Sequence, residues 1–115
     1  MSEEQHVLGE LLVRPMVTTV VLHGELDLAT VHHLRALLDD AGSRRPPRLV
    51  IDVSDVPFLD VLSLSAILAA ADQVRDRGGM AAVTGASPAV RRICALLNAE
   101  DVLAADIPQQ RRIVG

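Results

Sequence analysis

Apolar residues near the start of the chain come in two short runs, Leu11-Leu12-Val13 and Val17 to His23, separated by Arg14-Pro15-Met16. That spacing predicts a hairpin. After Gly24-Glu25-Leu26-Asp27 the period changes, with Val31, Leu34, Leu38 and Ala41 recurring on one helical face. A helix is predicted over about 28 to 41, with Asp27 as its N-cap and Gly42 as its stop. Ser43-Arg44-Arg45-Pro46-Pro47 has loop composition, and Arg48 to Val53 follows as an apolar, β-branched run suited to a parallel strand. A second helix is predicted over 61 to 77, where Leu64, Ile67, Leu68, Ala71 and Val74 share a face and Gly78-Gly79 end the pattern. Met80 to Val83 makes the next strand. Ser87 is placed to cap a third helix that Pro88 opens, with Val90, Ile93, Cys94 and Leu97 as its buried face. A last short strand is predicted near Val102 to Ile107, and 107 to 115 reads as a tail.

Strand and helix alternate, so the fold class is α/β: a mixed, mostly parallel sheet of four to five strands with about three helices packed against it. The chain is 115 residues long and 50% hydrophobic, which fits one domain with its core at about 8 to 106. Charge narrows the partners. Eleven basic residues, all arginine, stand against fifteen acidic ones for a net −4, without a basic stripe or stacking aromatics, so no nucleic acid is expected. The longest apolar runs fall far short of the roughly 20 residues of a membrane span, and the start is acidic, so the protein is read as cytoplasmic and not membrane-inserted. Cys94 is the single cysteine, which excludes an internal disulfide and a multi-cysteine metal cluster. His23, His32 and His33 could suggest a metal site, but His32 and His33 are adjacent, about 100° apart on a helix, and these two read as solvated rather than as metal ligands. Thr84-Gly85-Ala86-Ser87-Pro88 lacks the glycine spacing of a phosphate loop, and no serine sits in a nucleophile elbow. No catalytic residue, metal or cofactor is expected.

Two loops carry what chemistry there is. Gly24 to Asp27 leaves one strand and Ser54 to Asp60 the next, so both lie at carboxyl ends of neighbouring strands, where sites in open parallel sheets are built. Asp27, Asp55 and Asp60 could converge to hold a cation or meet a partner's basic groups; alternatively, Asp27 and Asp60 merely cap the helices they precede. On the wheel of the second helix Leu62 points away from the core stripe of Leu64, Ile67 and Ala71, and Ala66, Ala69 and Gln73 continue that outward side. It is either an anchor for a partner or a single exposed leucine of no consequence.

Gly24-Glu25-Leu26-Asp27-Leu28-Ala29-Thr30, Leu49 to Ser54, Phe58-Leu59-Asp60 with Leu64, and Gly85 with Ser87 to Arg92 together resemble the STAS domain of bacterial anti-sigma-factor antagonists. The resemblance implies a non-enzymatic regulator that binds an anti-sigma factor with serine kinase activity. STAS domains also bind the ATPase of lipid-transport ABC complexes, which is the alternative partner; a nucleotide-binding module is the third reading. In the family, the aspartate matching Asp60 is usually followed by two small, commonly hydroxyl-bearing residues, a glycine and a leucine, the second small residue accepting phosphate. Here Val61, Leu62, Ser63 and Leu64 stand there, so the acceptor position is Leu62 and cannot be phosphorylated. Ser63 is the one nearby substitute acceptor. The expected partner-binding residues are Asp27, Asp55, Asp60, Leu62, Ser63 and Ala66. The family's C-terminal helix has no evident counterpart, and homodimerisation stays open.

Overall fold

A computed structural model describes residues 8–104. Strands β1 (Gly9–Val13) and β2 (Thr18–His23) form the antiparallel hairpin, and β3 (Arg48–Asp55) and β4 (Met80–Thr84) add in parallel, giving one sheet in the order β1-β2-β3-β4. Helix α1 (Val31–Ser43) connects β2 to β3, α2 (Val61–Asp76) connects β3 to β4, and α3 (Pro88–Leu96) follows β4. Thr18, Val20 and Leu22 of β2, Leu49, Ile51 and Val53 of β3, and Ala81 and Val83 of β4 are buried, alternating with more exposed neighbours. The strands thus bury one face, against Leu34 and Leu38 of α1 and Leu64, Ile67, Ala71 and Val74 of α2. Val90 and Cys94 of α3 join the same core.

Expectations for α1, α3 and the last strand need correction. Helix α1 begins at Val31 rather than 28, because residues 27–30 first close a turn: Thr30 N–H bonds the Asp27 carbonyl at 3.0 Å, and the Thr30 hydroxyl donates to the same carbonyl at 3.2 Å. Asp27 is therefore not the N-cap; its carboxylate accepts from Ala29 N–H at 3.0 Å, and Thr30 takes the cap position without a side-chain cap bond. The same helix runs past Gly42, and the left-handed residue that ends it is Arg45, at φ 50°. In α3 only Val90 and Cys94 are fully buried, while Ile93 is half-buried and Leu97 exposed. Finally, the predicted last strand is replaced by a 3-10 turn at Glu100–Val102, after which pairing shrinks to one parallel bridge between Leu103 and Val83. Among the described residues the sheet has four strands. Positions 105–107 of that prediction and the tail lie outside the described residues.

Elsewhere local chemistry matches the elements. Asp60 caps α2, accepting from Ser63 N–H at 2.8 Å, and Ser87 caps α3, accepting from Val90 N–H at 3.2 Å. Gly78, at φ 87°, ends α2, with Gly78 and Gly79 N–H bonding the Arg75 and Val74 carbonyls at 2.9 Å each.

Candidate functional site

The two motif loops are joined through their backbones. Gly24 N–H bonds the Asp55 carbonyl at 3.0 Å, Leu26 N–H the Phe58 carbonyl at 3.1 Å, and Asp60 N–H the Leu26 carbonyl at 3.0 Å. Between them Leu26 and Leu59 form a parallel bridge, and both side chains are buried. The β2–β3 pairing therefore continues beyond the regular strands to the start of α2. Gly24 makes this course affordable at φ 79°, a left-handed conformation that costs an L-residue about 1–2 kcal/mol.

The three aspartates occupy distinct settings on this platform. Asp60 caps α2 and is bonded through its backbone to Leu26, the neighbour of Asp27. Asp27 braces the turn that precedes α1. Asp55, largely exposed, faces His23 across the strand ends, Oδ2 to Nδ1 at 3.2 Å. Among the described residues no group of three or more histidine, cysteine or carboxylate side chains could hold a metal ion. His32 and His33 are exposed. Burial pushes the Cys94 thiol above its ordinary range, Arg91 opposing this and Glu100 reinforcing it, which keeps the group protonated and unreactive at neutral pH.

On α2, Leu62 is 39% exposed and Ala66 half-buried. Ala66 lines the shallow groove between the two long helices with Ala69, Ala70, Arg35 and Gln73. Ser63 is different. Its side chain is fully buried, and its hydroxyl has no hydrogen-bond partner among the described residues. Four residues before Ile67 and eight before Ala71, it lies on the inward stripe, so it is not on the outward surface where a partner-contacting residue was expected. That spacing was present in the sequence. Phe58, Val61 and Leu28 were missed as surface features: they are 45%, 52% and 70% exposed, and with Leu62 they give these loops apolar side chains among the carboxylates. Leu28 went unnoticed because it was assigned to a helix that starts three residues later.

These side chains lie on strand-end loops and the first turn of a helix, on a four-stranded mixed sheet with its long helices on one face. That is the class of small α/β domains whose motif is displayed on a surface. The chain matches the STAS domain family over residues 10–110 and belongs to it. It is similar to an anti-sigma factor antagonist from Mycobacterium paratuberculosis, at 26% identity and TM-score 0.75, covering 90% of this chain and 87% of that one. The anti-sigma factor antagonist SpoIIAA in its unphosphorylated form aligns at 18% identity and TM-score 0.74, over 88% of this chain and 90% of that one. A sulfate transporter family protein from Wolinella succinogenes shares the fold at 17% identity and TM-score 0.65, over 81% and 75% of the two chains. No described helix is long and apolar enough to cross a membrane.

Proposed function

We propose that this chain is a cytoplasmic, non-enzymatic regulator of transcription that binds an anti-sigma factor with serine kinase activity, and that it does so without the family's serine switch. The carrying observation is the first turn of α2: an exposed Leu62 beside the capping Asp60, with the adjacent hydroxyl, that of Ser63, buried and the exposed Ser65 three residues beyond Leu62 along the helix. A phosphate would add a charge of about −1.5 to −2 where this chain holds a neutral apolar side chain, so the protein stays in the equivalent of the unmodified, binding-competent form. Asp27, Asp55 and Asp60 supply acidic contacts, Leu62 the apolar anchor and Ala66 the smooth continuation of the helix face. The 26% identity to an anti-sigma factor antagonist supports this reading.

The test is incubation with a cognate anti-sigma kinase and ATP, read by intact mass and by co-purification. A stable complex with no added phosphate is expected. Stoichiometric phosphate on Ser63 would require the first turn of α2 to open and would restore a switch. Failure to bind the kinase, with capture of an ABC-transporter ATPase instead, would assign the domain to the transport role.

A further inference from the structure

At the sheet edge opposite the motif loops, three connections meet. Strands β2, β3 and β4 run parallel, so the turn before β2, the loop before β3 and the loop before β4 all lie where these strands begin. The pairing of Thr18 with Leu49 and of Arg48 with Met80 sets them side by side. The stretches 14–17, 43–48 and 77–80 contain Arg14, Arg44, Arg45, Arg48 and Arg77, five of the eleven arginines, and not one acidic residue. All five are exposed. Arg45 and Arg77 line a cleft with Pro46, Pro47, Gly78 and Gly79. Acids border this edge on three sides: Asp76 ends α2, Asp40 sits one turn before the end of α1, where Arg44 answers it at 3.5 Å, and Asp101 pairs at 3.7 Å with Arg75, whose guanidinium donates to the Ala81 carbonyl at the start of β4.

Apolar side chains stand among these charges. Met16 is 70% exposed and Met80 59% exposed, and the Arg48 guanidinium lies 4.0 Å from the Met80 sulfur. We propose that this arginine and methionine edge docks on an anionic lipid bilayer, the guanidiniums meeting lipid phosphates and the two methionines entering the interface. Two features favour a membrane over other anionic partners. The edge has no aromatic platform on which a nucleic-acid base could stack, and its exposed thioether chains gain nothing from a purely polar acidic surface. The net charge of −4 does not prevent docking. Asp55, at the far end of β3 from Arg48, lies about 23 Å away at roughly 3.3 Å per residue, beyond a screening length of about 8–10 Å.

The experiment is co-sedimentation of the full chain with phosphatidylcholine vesicles, with and without phosphatidylglycerol, at low and raised salt. Binding to the anionic vesicles only, lost as salt rises, is expected. The triple variant Arg14→Ala/Arg48→Ala/Arg77→Ala, one change per connection, should lose about fivefold per arginine, or about a hundredfold in all. Arg92→Ala, on α3, should bind as the wild type does, and circular dichroism melting confirms that each variant is folded. Equal binding to both vesicle types, no binding at low salt, retention by the triple variant or loss in Arg92→Ala would overturn the proposal. So would salt-sensitive self-association or RNA binding that the triple variant abolishes in the absence of vesicles, which would give the edge to a second copy or to a nucleic acid.

Discussion

Leu62 and Ser63 are neighbours with opposite fates, and each makes its own prediction. Leu62 is partly exposed, so Leu62→Ala should cost at most about 1 kcal/mol, against about 2–5 kcal/mol for a core leucine. Binding to the proposed partner should nevertheless weaken, and Leu62→Asp, which puts charge at the position the STAS resemblance assigns to phosphate, should abolish it in calorimetric titration. A large drop in thermal midpoint for Leu62→Ala would make it a core residue. Unchanged binding by Leu62→Asp would move the interface elsewhere. For Ser63 the sign reverses: a buried hydroxyl without a partner costs about 1–3 kcal/mol. Ser63→Ala should therefore raise stability by about 1 kcal/mol in urea titration, and a loss of stability would mean that the hydroxyl has a partner after all.

The helix starts separate what the sequence discloses from what it withholds. At α2 and α3, Asp60 and Ser87 sit three residues before the amides they cap, and both were legible from residue type and spacing. Asp27 is just as good a cap by composition. What hid its true role was Thr30, whose hydroxyl locks onto the Asp27 backbone and delays the helix by one turn. Arg45, in a conformation that favours glycine, likewise could not be found from residue type. The inward stripe of α2 was legible for its leucines and isoleucine but not for Ser63, because a serine carries no hydrophobic signal. From these geometries Asp60→Ala should cost about 1 kcal/mol of stability, and Asp27→Ala, which frees one exposed turn amide, about half that. If both carboxylates also meet a basic partner, affinity should fall further than stability explains, and the loss should shrink as salt rises. Salt-independent affinity, unchanged in both variants, would remove them from the interface.

Across the whole molecule, the mixed, mostly parallel sheet and its covering helices followed from the alternation of periods, because each parallel crossover needs a helix and each helix shows a single apolar stripe. What no periodicity could reveal was the joining of the loops 24–27 and 55–60 by Gly24, Leu26 and Asp60 amides. Loops of this exposure would ordinarily exchange their amide protons fast, but these three are ladder amides beneath the surface they support. They should exchange on the timescale of the β2 and β3 amides, slowing together and failing together when either loop is loosened. In consequence Asp27 and Asp60, 33 residues apart in the chain at either side of the Leu26 carbonyl, ought not to act as independent contacts. A double-mutant cycle on partner binding should return a coupling energy of about 0.5 kcal/mol or more, because each carboxylate is aimed by a backbone that the other's loop holds in place.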